Sequence, residues 1–143
     1  MSPREHTRSE LQRKLLRGGT PETVQEILCK LEQQGLLNDR ALAHRRGLAR
    51  RKIRLWGKHK IASDLKRLGI DARIVEWVLE QVEVQRSEAE TLRQLVERWV
   101  TRHGKPEKIV ELKKLYDHCF RLGYGSALIR EHLSVYFDNT GQS

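Results

Sequence analysis

Hydrophobic residues recur along the chain at the three-to-four-residue spacing of amphipathic helices, and the alternating patterns typical of strands are almost absent. Helix start signals divide this pattern into short segments. Residues 7–10 and 87–90 have the capping-box form, in which a hydroxyl side chain is followed three residues later by Glu. Thr20-Pro21 fits an N-cap followed by a first-turn proline. The sequence therefore predicts an all-α fold.

Glycines follow many of the apolar segments and supply the matching stop signals, Gly35 among them. We place Gly57 at the C-cap of the third helix and Pro106 in the first turn of the seventh. The predicted helices begin near residues 7, 20, 38, 58, 71, 87, 106 and 126.

Three of these glycines mark an internal repeat. When Gly19, Gly69 and Gly123 are superposed, apolar residues coincide eight and four positions before each glycine, and an arginine lies two positions before each. The offsets of 50 and 54 residues indicate one helical unit used three times. A single unit has too little apolar surface to fold alone, so we expect the units to pack in series. The predicted units are a partial first repeat lacking its leading helix, residues 1–37, and two three-helix repeats, residues 38–84 and 85–143.

Positive charge is concentrated in one of these units. The chain has a net charge of +9, and residues 38–69 alone hold 11 Lys and Arg against 2 Asp and Glu. Charge spread over a whole protein favours solubility, whereas charge confined to one segment is more typical of a surface for an anionic partner.

The basic segment predicts one long helix, since no proline interrupts residues 39–56. Its apolar residues fall on one broad face of a helix: Ala41, Leu42, Leu48, Ala49, Ile53, Leu55 and Trp56. Arg46, Arg50 and Arg54 stack on the opposite face, where like charges cost a helix roughly 0.2–0.5 kcal/mol per pair. No acidic residue lies between Asp39 and Asp64 to relieve this repulsion. We therefore expect an external anion to neutralise the arginines; the alternative is a solvated helix face.

Three residues of this helix have an ambiguous position. Arg45 and Lys52 project near the middle of the apolar face, so either their charged ends extend past its edge or that face is only partly covered. Trp56, at the end of the helix, fits either the core or an interface.

The sequence lacks the motifs of common active sites. None of the six histidines has a metal-ligand spacing, and no Walker-type loop, G-x-G-x-x-G or G-x-S-x-G motif is present. Residues 61–79 resemble a helix-turn-helix, but Glu76, Glu80 and Glu83 on its second helix would be repelled by DNA phosphates. We predict a non-enzyme without cofactor or metal.

Cysteine use and hydropathy predict the compartment. Cys29 and Cys119 each lie in a predicted helix without a nearby Cys, as expected of buried thiols in a reducing cytosol. No run of 18 apolar residues is present, and the N-terminal residues lack the apolar region of a signal peptide. We therefore expect a cytoplasmic protein without a membrane contact.

With the repeat and its motifs in place, the chain resembles the RecX family of bacterial regulators of the RecA recombinase. The resemblance covers nearly the whole chain, and its motifs occur in the order found in the family. They are residues 4–7 with Glu10, Leu11, Lys14 and Leu15; residues 35–39 with Leu42 and Ala43; Gly57 with Ile61, Leu65, Gly69 and Ile70; and residues 120–124 with Ile129.

The resemblance implies an elongated, curved array of tandem three-helix repeats that lodges in the groove of the RecA–DNA filament. Such proteins restrain ATP hydrolysis and strand exchange. The expected partner is RecA in its nucleoprotein filament, with weak direct DNA binding as a second contact, and the expected state is a monomer. The candidate contact residues for filament or DNA are Arg45, Arg46, Arg50, Arg51, Lys52, Arg54, Lys58, Lys60 and Arg67.

Two other functions remain open. A freestanding nucleic-acid-binding module would need only the charge of residues 38–69, and would show a steep linear fall of log affinity with log salt concentration. A helical-repeat adaptor for another protein is the third interpretation. A filament regulator differs from both in binding bare DNA weakly and RecA-coated DNA strongly.

Overall fold

A computed structural model describes residues 7–34 and 38–140, and within these ranges the regular secondary structure is entirely α-helical. The helices are α1 (Arg8–Leu16), α2 (Pro21–Gln33), α3 (Asp39–Arg54), α4 (Lys58–Arg67), α5 (Ala72–Gln85), α6 (Glu88–His103), α7 (Ile109–Arg121) and α8 (Ser126–Thr140). The family motif residues 4–6 and the predicted stop at Gly35 lie outside the described residues. The predicted all-α fold is confirmed.

Predicted N-caps account for the starts of several helices. The Thr7 hydroxyl accepts a hydrogen bond from the Glu10 amide at 3.1 Å, and Ser87 accepts from Glu90 at the same distance. The Asn38 side chain caps α3 through the Ala41 amide. These bonds satisfy amides that the first turn of a helix otherwise leaves unpaired. Side chains close in sequence therefore fix these boundaries.

Two predicted boundaries were wrong. Helix α3 ends at Arg54, and its C-cap is Leu55, which adopts a left-handed conformation with φ of 59°. Gly57 instead precedes α4 as its N-cap, with an ordinary φ of −80°. Pro106 lies before the seventh helix, which begins at Ile109 with Lys108 as N-cap. In both places the connection between two helices is longer than the sequence pattern indicated.

Within residues 7–34 and 38–140, the buried hydrophobic residues form three clusters in chain order. A small cluster around Val24 and Leu28 joins α1 and α2. A second joins α3, α4 and α5 and includes Ile61, Leu65 and Val78. The third lies among α6, α7 and α8 and takes Leu55 into it from the end of α3. The repeat boundaries after residues 37 and 84 stay a prediction.

The contacts between successive units repeat along the chain. The Thr7 hydroxyl donates to the Leu68 carbonyl at 2.8 Å, and 50 residues later the Gly57 amide donates to the Leu122 carbonyl at 2.7 Å. The neighbouring pair repeats too. The Ser9 hydroxyl donates to the Gly69 carbonyl, and the His59 amide donates to the Gly123 carbonyl. The same joint, a helix N-terminus on the glycine turn of the next unit, is thus used twice, as expected of a tandem array.

The two cysteines differ in their surroundings. Cys119 is fully buried in the third cluster, whereas Cys29 is exposed on α2. The prediction of two buried thiols is therefore correct for Cys119 and wrong for Cys29, because α2 turns Val24 and Leu28 inward and leaves Cys29 outside. None of the helices in the described ranges is both long enough and apolar enough to cross a membrane.

Candidate functional site

The basic helix α3 packs on the rest of the protein through two small residues and one buried arginine. Its buried positions are Ala43, Gly47 and Arg51, spaced four residues apart along one face. A Cβ at Gly47 would lie 2.7 Å from Val78 Cγ1, so the glycine lets α5 approach closely. Ile53, expected on the inward face, is 73% exposed. The predicted apolar face was therefore wrong in part, and the helix is rotated relative to it.

Arg51 is the largest departure from the prediction. Its side chain is 1% exposed, and its guanidinium donates to two backbone carbonyls, those of Trp56 and Arg86, each at 2.7 Å. A weaker contact of 3.4 Å joins it to the Glu83 carboxylate. Arg51 thus ties the end of α3 to the connection between α5 and α6. It does not belong to an exposed contact surface, and we remove it from the candidate site.

Asp64 on α4 is an internal counterion that the sequence analysis did not foresee. Arg46 donates to its carboxylate twice, at 2.6 and 3.2 Å, and Arg67 donates once at 2.8 Å. Burial of the carboxyl tends to raise the pKa of Asp64, but the hydrogen bonds from Arg46 and Arg67, together with the positive charges of Arg46 and Arg50, hold that pKa below its usual value. The expectation that the arginines of α3 have no internal carboxylate is wrong for Arg46, which pairs with Asp64, and for Arg51, which contacts Glu83.

Four of the predicted contact residues converge on one cleft of 540 Å³ between α1, α3 and α4. We call it the α3–α4 arginine cleft and define it by Arg45, Arg46, Arg50 and Arg67. Glu10 of α1 also lines it.

Arg50 extends this basic surface towards Trp56. The Arg50 guanidinium carbon lies 5.1 Å from the centroid of the Trp56 ring, and the Lys60 ammonium lies 4.5 Å from the same centroid. Such cation–π contacts contribute about 0.5–1 kcal/mol at exposed sites. Arg50 Nε is buried without a hydrogen-bond partner among the described residues. Trp56, itself half-buried, therefore holds two cations beside the cleft.

The other predicted contact residues do not join this cleft. Lys52 and Lys58 are exposed and do not line the cleft. The backbone amide of Lys58 donates to the Glu88 carboxylate at 3.0 Å. Arg54 faces a different cavity, at the joint between α3 and the third cluster. The predicted contact residues thus do not form one surface: four line the α3–α4 arginine cleft, and Arg54 lines another cavity.

That second cavity has a volume of 660 Å³, and the sequence analysis missed it. We call it the junction cleft. Five permanent cations line it, with two histidines and four apolar or aromatic residues: Arg54, Arg98, Arg102, Lys114, Arg121, His103, His118, Leu55, Leu95, Trp99 and Leu122. The helical spacing of Arg98 with Arg102, and of Lys114 with Arg121, is visible in the sequence. Neither helix has a marked excess of charge, since α6 has three acidic residues against three arginines and α7 has a net charge of only +1.

The electrostatics of the junction cleft affect its histidine. Burial lowers the pKa of His118, and the positive charges of Arg121 and His103 lower it further. Within the described ranges, no cluster of three or more metal-ligating side chains is present. The two clefts therefore offer cationic side chains for anion binding.

Comparison with known proteins places these features in a family. "Regulatory protein RecX" of Prosthecochloris aestuarii is 29% identical over 137 residues, which cover 95% of this chain and 87% of that protein. "Regulatory protein RecX" of Chlorobium phaeobacteroides is 30% identical over 138 residues, covering 96% and 88%. The chain spans a smaller share, 65%, of the Streptomyces coelicolor relative of the same name, at 30% identity.

Solved structures show the same fold. The crystal structure of RecX from Lactobacillus salivarius superposes with a TM-score of 0.80 at 22% identity, over 93% of this chain and 86% of that one. A second RecX crystal structure gives a TM-score of 0.74 at 24% identity, over 94% and 64%. No family model matches the chain. The identity and coverage shared with the Chlorobium relative, together with this common fold, show that the chain belongs to the RecX family of regulatory proteins.

Proposed function

We propose that this protein regulates the RecA recombinase, as an inhibitor, by binding the RecA–DNA filament through the α3–α4 arginine cleft. Membership of a family of regulatory proteins supports a binding role rather than a catalytic one. The observation that carries the choice of surface is the convergence of four arginines on one cleft.

The cleft is suited to a partner with charges at defined positions. Arg46 and Arg67 are held on the Asp64 carboxylate, so binding would cost them little side-chain entropy. Glu10 adds a negative charge at the edge of the cleft. A mixed and ordered pattern of this kind favours a protein surface or a protein–DNA boundary over a uniform polyanion, because charge complementarity chiefly determines specificity.

Binding assays with two ligands test the proposal. We expect the protein to bind a RecA-coated single strand, held in its active state by a slowly hydrolysed ATP analogue, far more tightly than the bare strand. Reversal of Arg50 and Lys60, in the double variant Arg50→Glu with Lys60→Glu, should weaken filament binding roughly tenfold or more. Arg46 is left unchanged because its loss would leave the nearly buried Asp64 carboxylate with one partner fewer.

A matched control separates the surface from its net charge. The double variant Lys30→Glu with Lys105→Glu changes the net charge equally, at exposed positions on α2 and between α6 and α7. It should retain filament binding. The assignment of the cleft would be contradicted if both variants lost filament affinity equally. It would also be contradicted if the Arg50 and Lys60 variant kept its filament affinity while circular dichroism showed an intact fold.

The junction cleft favours a second candidate, a freestanding nucleic-acid-binding protein. In that case the bare strand would bind as tightly as the coated one. The log affinity for the bare strand would then fall steeply and linearly with log salt concentration.

A further inference from the structure

The junction cleft brings together five cations from three helices. Arg54 enters it from α3, Arg98 and Arg102 from α6, and Lys114 and Arg121 from α7. Within the described ranges, no carboxylate lines the cleft and none of these five side chains forms an ion pair. The α3–α4 arginine cleft differs, since Glu10 lines it and Asp64 binds two of its arginines.

The cations surround an apolar and aromatic floor. Leu55, Leu95 and Leu122 line the cleft together with Trp99, which is only partly buried. The imidazole of His103 stacks on the Trp99 indole with 4.5 Å between ring centroids. A groove that joins cations to exposed aromatic surface is the usual arrangement for single-stranded nucleic acid, whose phosphates and bases need both.

Hydrogen bonds join the end of α3 to the turn between α7 and α8 beside the cleft. The buried Tyr124 hydroxyl donates to the Leu55 carbonyl at 2.8 Å, and the Gly57 amide donates to the Leu122 carbonyl at 2.7 Å. The backbone that follows Arg54 is therefore tied to the turn after α7. Holding five like charges together is costly, and a bound anion would remove that cost.

We propose that the junction cleft binds the phosphodiester backbone of a single DNA strand. Planar guanidinium groups suit phosphate oxygens, which they bind in pairs of parallel hydrogen bonds. Successive phosphates of one strand can each bind a different cation of the cleft. The inference goes beyond the proposed regulation of RecA, because it concerns a contact with DNA that requires no recombinase.

We expect His118 to couple strand binding in this cleft to the uptake of a proton. The charged groups that line the cleft with it are the five cations from α3, α6 and α7 and the His103 imidazole. Burial lowers the pKa of His118, and the positive charges of Arg121 and His103 lower it further. A phosphate bound among these cations would favour the protonated form of His118 instead. Strand binding is therefore expected to be accompanied by proton uptake, and the affinity should rise as the pH falls through the titration of His118.

The experiment measures binding of a fluorescent oligothymidylate to the whole protein, without RecA, by anisotropy over a range of salt concentrations. Each phosphate contact on a single strand contributes about 0.7 to the slope of log affinity against log salt. The variant Arg98→Gln with Arg102→Gln should lower that slope by about 1.4 if each arginine neutralises one phosphate. The control Lys30→Gln with Lys105→Gln removes the same charge elsewhere and should leave the slope unchanged.

Three results would overturn the inference. The first is an equal change of slope in the cleft variant and the control. The second is a poly-glutamate chain competing as well as an oligonucleotide of equal charge, which would indicate an acidic protein as the partner. The third is an affinity that has the same pH dependence in wild type and in His118→Gln. RecA is absent from this assay, so a negative result would not contradict the proposed regulation of RecA. Likewise, a failure of the RecA filament assays would not contradict strand binding by the junction cleft.

Discussion

The joint between α4 and the α7–α8 turn is the part of the molecule where a single methyl group should have the largest effect. Gly123 has φ of 100°, and a Cβ there would lie 2.6 Å from Lys60 Cβ and 3.0 Å from the Gly57 carbonyl oxygen. Gly57 has an ordinary φ, but its Cβ would lie 2.5 Å from the Gly123 carbonyl oxygen. Gly123→Ala therefore combines a strained backbone with a steric clash, and Gly57→Ala has the clash alone.

The magnitudes follow from these two effects. An unfavourable backbone conformation costs about 1–3 kcal/mol, and overpacking a close contact costs about 1–3 kcal/mol. Gly123→Ala should lower the free energy of unfolding by roughly 2–6 kcal/mol, and Gly57→Ala by roughly 1–3 kcal/mol. Since small proteins are stable by only about 5–15 kcal/mol, the first change removes a large share of that margin.

Urea unfolding followed by circular dichroism measures these differences, and two other glycines provide controls. Gly104 has φ of 86° but no atom within 4 Å of its Cβ position, so Gly104→Ala reports the backbone cost alone. A Cβ on Gly18 also meets open space, without a positive φ, and Gly18→Ala should be nearly neutral. The effects of Gly57→Ala and Gly123→Ala should not add, because the two residues contact each other. A Gly123→Ala variant no less stable than Gly104→Ala would refute the close packing of this joint.

Three further predictions concern single side chains. Asp64→Asn should lower the free energy of unfolding by roughly 1–3 kcal/mol at neutral pH. Because the pKa of Asp64 is depressed in the folded state, wild type should lose this advantage as the pH falls below about 4. Urea unfolding at several pH values should therefore show the stabilities of the two proteins converging at low pH. Tyr124→Phe should lower the free energy of unfolding by about 1–3 kcal/mol, because the buried Leu55 carbonyl loses its donor, and an unchanged urea midpoint would contradict the bond. Burial raises the pKa of the Cys119 thiol to about 12, so a thiol reagent should label Cys29 alone in the native protein, and labelling of Cys119 before unfolding would contradict its burial.

The helix starts that have a side-chain cap were predictable because their causes are local, whereas α7, which has no such cap, was placed too early. Thr7, Asn38 and Ser87 each bond to an amide three residues later, so the sequence spacing alone identifies them. The end of α3 was not predictable in this way. Leu55 adopts a conformation that bulky residues rarely adopt, and its side chain is buried in a cluster built by helices far along the chain.

The inward face of α3 escaped prediction because its residues are small or charged. Periodicity assigns Ile53 to the core and gives no reason to bury Arg51. Arg51 can be buried only because two carbonyls, at the ends of α3 and α5, accept its hydrogen bonds. The position of those carbonyls depends on the packing of three helices. The pairing of Arg46 with Asp64 depends on the same packing, and so the sequence overstated the charge left for a partner.

The most direct test of the account is the rate of ATP hydrolysis by RecA on single-stranded DNA at a stoichiometric ratio of this protein to RecA. We predict that wild type and the Lys30→Glu, Lys105→Glu control slow hydrolysis, and that the Arg50→Glu, Lys60→Glu variant has a much smaller effect. If wild type left the rate of hydrolysis and the lifetime of the filament unchanged, the proposed regulation of RecA would be contradicted.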